Sequence, residues 1–418
     1  MSNASIEREQ QEQQKQDVSG FFRGNILVLA LSGAIGSLGG FVGVFISKYF
    51  VEIGGNLLTV GLLGSAAAFI QFFTLSIGGF IADYYGRRRI IVFAAFYGIL
   101  FPLLYAVVQD WRMFGALTLL ATIGTLANPA THAIVVDSIP PEKRTRGIAS
   151  LQVVSALPSA ISPLIGGWLI QNYGLENGFR IACIYAASLA FLSAIPVFVL
   201  LKETKHFKAV KNPAISWRDA VFGFAKPSDY ALPRGLKVLI GAYALVMFSN
   251  SAVGPYYIFY ASDVAGLTAF EWGTVVSLQI LLASFLRIPG GWLSDKFGKR
   301  KIMILSLLAT VPMILLFTLS RVFIQVMATA LLLVAAGIYY APAHEALQAD
   351  FTPRSVRGRI TSLWLIVSAV SAAVGAPVGG FTFQTLGPTV PFYIFAVAEL
   401  AAMLLLIVMV KEPETKEV

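Results

Sequence analysis

Three ionisable residues fall where long apolar runs leave little room for charge: Arg287, Glu345 and Glu399. A charge inside hydrocarbon is costly, so one that persists there is usually functional or partnered. A carboxylate beside an arginine is held ionised, whereas the same group alone and desolvated tends to take a proton. Arg287 and Glu345 are therefore a candidate switch, an ion pair that a proton or an anionic substrate can break. The alternative is a permanent pair that ties two helices together. His344 adjoins Glu345, and His132 stands where Glu345 stands at an offset of 213 residues. These four are candidates for proton coupling or substrate binding, with a buried hydrogen bonder as the alternative for His132. Glu399 is a fifth candidate, balanced against a protonated glutamate that merely bonds a neighbouring helix.

A second set of charges comes in two copies. Gly79-Phe-Ile-Ala-Asp83-Tyr-Tyr-Gly86-Arg87-Arg88-Arg89 is repeated as Gly291-Trp-Leu-Ser-Asp295-Lys-Phe-Gly298-Lys299-Arg300-Lys301, every position shifted by 212. Each copy is followed by another shared pattern, Gly124…Pro129…Asp137…Pro140…Arg146-Gly147 and Gly337…Pro342…Asp350…Pro353…Arg357-Gly358. Two patterns doubled in register mark an internal duplication.

The elements that must position these residues follow from composition. Hydrophobic residues make up 57% of the 418 and charged residues 13%, a balance that no soluble core can hide. Runs long enough to cross about 30 Å of hydrocarbon read at 25–49, 58–82, 90–108, 113–136, 147–171, 179–201, 236–261, 270–294, 302–320, 322–349, 358–384 and 389–410. The expectation is an all-α membrane protein of twelve transmembrane helices in two bundles of six. The bundles span 23–201 and 236–410, joined by a linker at 202–235, with tails at 1–22 and 411–418. At 1.5 Å per residue, Arg287 lies about 12 Å, and Glu345 about 7 Å, inside the ends of the eighth and tenth spans.

Orientation follows from basic residues, since short loops rich in Lys and Arg stay cytoplasmic. With both termini inside, the inner segments hold 26 of the 31 Lys and Arg, and the outer ends keep Lys48, Arg112, Arg180 and Arg321. The net charge of +9 is then topogenic, and nucleic acid is not an expected partner. Within the linker, Trp217 to Phe224 reads either as a short interfacial helix or as a solvated loop. The single cysteine, Cys183, excludes an intrachain disulfide or a cysteine-rich metal site. No Gly-x-x-x-x-Gly-Lys-[Ser/Thr] loop is present, which disfavours an ATP-driven pump. No cofactor, metal or enzymatic activity is expected.

The doubled motifs, the two sets of six spans and the linker together resemble the major facilitator superfamily of secondary transporters, over essentially all of residues 22–413. The resemblance implies two bundles that rock about a midplane site, so that a cavity opens to one side at a time. It also implies a latch of Gly79, Asp83, Gly86, Arg87, Asp137 and Arg146, with Gly291, Asp295, Gly298, Lys299, Asp350 and Arg357 in the second copy. Arg87 would meet Asp137 and Lys299 would meet Asp350. Asp83 and Asp295 would face the first turns of the eleventh and fifth helices in the opposite bundle. Such contacts are expected to form in the outward-open state and to break in the inward-open one; the alternative is that these charges only fix topology and loop shape. The helices that surround the cavity in this family offer Ser37, Asn128, Asn250, Tyr256, Tyr257, Tyr339 and Tyr340 as lining candidates, and Pro129, Pro255 and Pro342 permit kinks in three of them.

The branch is less distinct. Ser162-Pro163-Leu-Ile-Gly166-Gly167 is similar to part of the drug/proton antiporter motif, but Pro158 and Ser162 replace its glycines, and Leu120 stands where that branch carries an arginine. Arg287 followed by Ile288-Pro289-Gly290-Gly291 is similar to the arginine segment of anion carriers. The expected function is a proton-coupled transporter of a small organic anion, acting as a monomer in the cell membrane with both termini cytoplasmic. A multidrug/proton antiporter, a transport-inactive sensor or a lipid flippase is the alternative, and sodium is not excluded as the coupling ion.

Overall fold

The computed structural model describes residues 24–140, 144–204, 232–352 and 357–410, apart from the side chains at 144–146, 149–150, 152–153, 288–292, 295, 357–359 and 362. The tails, residues 205–231 of the linker with Trp217 to Phe224, and the side-chain environments of Arg146, Gly291, Asp295 and Arg357 lie outside this description. Among the described residues, twelve helices are long and apolar enough to cross a bilayer. They are α1 (Asn25–Glu52), α2 (Leu57–Tyr85), α3 (Arg87–Val107), α4 (Trp111–Ser138), α5 (Arg144–Tyr173), α6 (Leu175–Leu200), α7 (Arg234–Val264), α8 (Ala269–Phe297), α9 (Lys299–Leu319), α10 (Phe323–Asp350), α11 (Arg357–Thr385) and α12 (Val390–Met409).

Local chemistry sets the ends. Asn56 and Thr268, 212 residues apart, each begin a helix with a reciprocal capping box, through Thr59 and Glu271. Gly86 and Gly298 close α2 and α8 and open α3 and α9 at φ 99° and 91°, a conformation that only glycine adopts without strain. This turn is why each copy of the first motif carries a second glycine.

Four helices are interrupted near mid-span. α1 breaks at Leu38–Gly40, α4 passes through a 3-10 turn at Ile123–Ala127, α7 through one at Gly254–Tyr256, and α10 breaks after Gly337. Pro129, Pro255 and Pro342 fall at or just after three of these breaks, where a missing N–H costs least. By contrast Pro102, Pro196, Pro312 and Pro377 sit inside continuous helices.

The charged loops, residues 83–89, 137–140, 201–204, 296–301 and 350–352, gather on one face, here termed the basic face. The core changes character across the molecule. Toward the opposite face one cluster joins both bundles, running from Tyr49, Phe114 and Phe179 to Tyr260, Phe317 and Phe392. Toward the basic face it splits into two, one around Ile26, Ile91 and Ile134 and the other around Leu239, Met303 and Leu347.

The bundles are sealed at the opposite face by two symmetry-related seams, α2 on α11 and α5 on α8. A Cβ at Gly61 would fall on the carbonyl of Ala376, and one at Gly273 on that of Pro163. In the reverse direction, Gly380 meets the carbonyl of Leu57 and Gly167 that of Ala269. Small residues are what allow helix backbones to approach this closely. Across the seams Ser65 Oγ donates to Ala373 O (2.6 Å), Leu58 N to Gln384 Oε1 (3.4 Å) and Tyr256 OH to Leu57 O (3.3 Å). Beside them Lys48 of α1 pairs with Asp263 of α7 and donates to Ser262 Oγ at 2.9 Å.

Candidate functional site

The split core leaves a cavity of about 730 Å³ within the second bundle, walled by α7, α8, α9, α10 and α12. Its polar lining is Asn250, Gln279, Arg287, Thr310, Tyr340 and Glu345, and its apolar lining includes Val246, Met247, Leu333, Ile338 and Phe395. Arg287 and Glu345 both face this space and are exposed to it. Neither makes an ion pair with the other; the structure brings the two candidates to one chamber without joining them. A smaller cavity of about 290 Å³ continues toward the opposite face, between Gly43 and Ser47 of α1 and Pro255, Tyr257 and Trp272 of the second bundle. Tyr257 and Gln279 line both spaces.

The remaining candidates divide. Asn250, Tyr257 and Tyr340 line the larger cavity. Tyr256 is buried in the α2–α11 seam instead, its hydroxyl donating to Ala376 O at 2.6 Å. Ser37 turns back onto Ala34 O at 2.9 Å. Asn128 and His132, one turn apart on α4, are exposed but belong to neither cavity wall, and nor does the half-buried Tyr339. His344 is buried behind the wall, stacked on Tyr243 at 4.6 Å and edge-on to Trp364 at 4.7 Å. Its Nε2, the hydroxyl of Tyr340 and the indole N–H of Trp364 are buried without a hydrogen-bond partner among the described residues. Glu399, also buried, accepts a hydrogen bond from Ser249 Oγ (2.7 Å) and lies beside the hydroxyl of Thr310.

At the basic face both latch copies have the same plan. Arg87 pairs with Asp137, which also accepts from Thr204 Oγ1 at 3.3 Å. Lys299 pairs with Asp350 and donates to Ala346 O at 3.3 Å. Next to each, an arginine clamps the end of the bundle's last helix. Arg88 donates to Leu201 O (2.6 Å) and Phe198 O (2.8 Å), and Arg300 to Leu406 O (2.9 Å) and Ile407 O (2.6 Å). Cations are favoured at helix C-termini, where carbonyls lack partners.

Both ion pairs are formed here while the opposite face is sealed. Both partners of each pair ride on the same bundle, so rocking one bundle against the other does not separate them. Asp83 is exposed at the end of α2, and the side chains at 357–359 that open α11, which it was expected to face, lie outside this description.

Sequence reading missed the Ser249–Glu399–Thr310 cluster and the Lys48–Asp263 pair. Ser249 and Thr310 are single hydroxyls in apolar spans and carry no signal by themselves. Lys48 did carry one, as one of four cations left at the outer ends.

The Major Facilitator Superfamily matches this chain over residues 26–228 and 239–418. The chain is 27% identical over 355 residues to the multidrug resistance protein MdtH of Salmonella arizonae, covering 82% of this chain and 83% of that one. It is 24% identical over 322 residues to the multidrug resistance protein MdtG of Proteus mirabilis, covering 76% and 77%. Among solved structures it is similar to the human organic anion transporter MFSD10 (TM-score 0.66, 19% identity, 91% and 98% covered). A peptide transporter POT in complex with sulfate gives a TM-score of 0.71 at 17% identity, with 92% and 93% covered.

Proposed function

The chain belongs to the major facilitator superfamily, and from that premise we propose that it is a proton-coupled secondary transporter whose substrate binds between Arg287 and Glu345. The observation that carries this reading is the cavity in the second bundle. An arginine and a glutamate face it together, not paired with each other, in a wall that mixes Asn250, Gln279, Thr310 and Tyr340 with apolar side chains. A guanidinium without a carboxylate partner attracts an anionic group, so a small organic anion is the preferred substrate. The apolar wall of Val246, Met247, Leu333, Ile338 and Phe395 would receive its hydrocarbon part.

The same geometry supports an alternating-access reading. The seams close one end, the split core opens the other, and reversing the tilt would exchange them. In this reading the basic face is cytoplasmic, as are both termini, the membrane is the cell membrane, and one chain suffices because its two bundles complete the path. Glu345 carries the coupling proton: neutral, it leaves Arg287 to the anion, and ionised, it competes for the guanidinium.

A second reading is multidrug/proton antiport. It is favoured by the names of the MdtH and MdtG relatives and by the apolar share of the cavity wall. Luminal pH in liposomes holding the purified protein separates the two. Small carboxylates added outside acidify the lumen beyond protein-free controls if anion/proton symport is correct. Lipophilic cations that alkalinise acid-loaded vesicles, with no response to carboxylates, would replace it by drug antiport.

A further inference from the structure

The carboxyl of Glu399 is buried in the middle of α12, with the residue 2% exposed. The two side-chain groups beside it are hydroxyls, that of Ser249 of α7, which is hydrogen-bonded to it at 2.7 Å, and that of Thr310 of α9. Each hydroxyl has one hydrogen, and each lies within reach of a backbone acceptor that can take it. Ser249 Oγ is 2.9 Å from Val246 O, and Thr310 Oγ1 is 2.9 Å from Leu307 O. With a hydroxyl turned to its own helix, only a protonated Glu399 can complete the bond to it, by donating. With both turned inward, an ionised Glu399 accepts from both. The same three side chains therefore satisfy either form of the acid, and the exchange needs only hydroxyl rotation.

The site also has an entrance. Thr310 lines the large cavity and lies beside Glu399, so one side chain separates the buried acid from the chamber. Tyr340 lines the same stretch of wall, lies within electrostatic range of Glu399, and has a buried hydroxyl with no partner among the described residues.

We propose that Glu399, Ser249 and Thr310 form a proton-binding site behind the cavity wall, loaded through the Thr310 hydroxyl. In the loading step Thr310 gives its hydrogen to the Glu399 carboxylate and takes one from the cavity, a net gain of one proton with no other bond changed. The titratable groups facing Glu399 are Tyr257 of α7 and Tyr340 of α10. α9 presents the hydroxyl of Thr310 and α11 no group bonded to the acid among the described residues, and Arg287 and Glu345 face the cavity without bonding it. The role in coupling rests on the transport reading above; the existence of the site does not.

Infrared difference spectra of the purified protein test it directly. A carboxylic-acid C=O band is expected that fades as the pH is raised, disappears in Glu399→Gln and persists in Glu345→Gln. Thr310→Val, which removes one hydrogen bond and keeps the shape, should shift the band, so the test survives poor folding of the Gln variant. A spectrum unchanged by Glu399→Gln and by Thr310→Val, or a Glu399 band that persists at every pH, would overturn the proposal. A titrating band in a protein whose liposomes show no substrate-driven pH change would uphold the site and remove the transport reading instead.

Discussion

Several polar residues in the interior of the second bundle have apolar counterparts in the first. By the offset of 212 that places Asp83 on Asp295, Arg287 falls on Leu75 and Thr310 on Gly98. By the offset of 213 that places Gly174 on Gly387, Glu399 falls on Ala186, which packs against Gly39. Tyr340 falls in the same way on Ala127, and Glu345 retains a polar counterpart, the exposed His132. In the proposed reading, the parts that would move are duplicated and the parts that would bind are not. Capping boxes, turn glycines, arginine clamps, same-bundle ion pairs and the glycine seams all occur twice. Motion of two bodies about a shared axis requires both to carry matching hinges and faces, whereas a binding site between them can be furnished from one side.

Breaking the symmetric part should give the largest effects. Gly61→Val and Gly273→Val would each drive a side chain into a backbone carbonyl of the other bundle, an overpacking cost of about 1–3 kcal/mol. Each should hold the seam apart and reduce transport about tenfold or more, read as increased labelling of a cysteine introduced at Ser262. Sensitivity at only one of the two would break the claim that the seams are equivalent. The asymmetric part comes next. Arg287→Ala should cut anion uptake about tenfold or more, while Leu75→Ala should stay within about twofold; truncating a desolvated charge that binds its partner costs about 2–5 kcal/mol.

Smaller differences sharpen the comparison. Ser65 donates across its seam, but its counterpart Ser277 is buried without a partner among the described residues. Ser65→Ala should therefore lose about 1 kcal/mol and lower the unfolding temperature, whereas Ser277→Ala should leave it unchanged or raise it. Smallest of all, Lys48→Met removes an exposed ion pair worth about 0–1 kcal/mol. Its effect on Ser262 labelling should fade as salt is added.

The twelve spans were legible because hydrocarbon imposes length and composition on any helix that crosses it, and each predicted run overlaps one helix with ends that differ by a few residues. The bundle pairing was legible because motifs repeated at a nearly constant offset, 212 for Asp83 and Asp295 and 213 for Asp137 and Asp350. Arg287 and Glu345 stood out as candidates because a charge within an apolar run is costly, and both line one cavity; the role proposed for them is what the Arg287 and Glu345 variants test. Tyr256 was not separable from Tyr257 in sequence, since which of two adjacent residues faces the chamber depends on helix rotation at the Gly254–Tyr256 turn. The Glu399 partners were hidden for a different reason. Ser249 and Thr310 are 61 residues apart in sequence, and their meeting is a product of how α7, α9 and α12 pack. The seam contacts, made by glycine against backbone, leave no side-chain signature at all.

The central claim is that the second bundle supplies the binding chemistry, and luminal pH in liposomes, driven by an external small carboxylate, tests it with two pairs of variants. Arg287→Ala and Glu345→Gln should flatten the acidification seen with the unaltered protein, while Asn128→Ala and His132→Ala on the matching helix of the first bundle should leave it near full size. Loss of the signal in the Asn128 and His132 variants, with Arg287→Ala and Glu345→Gln still active, would contradict the account.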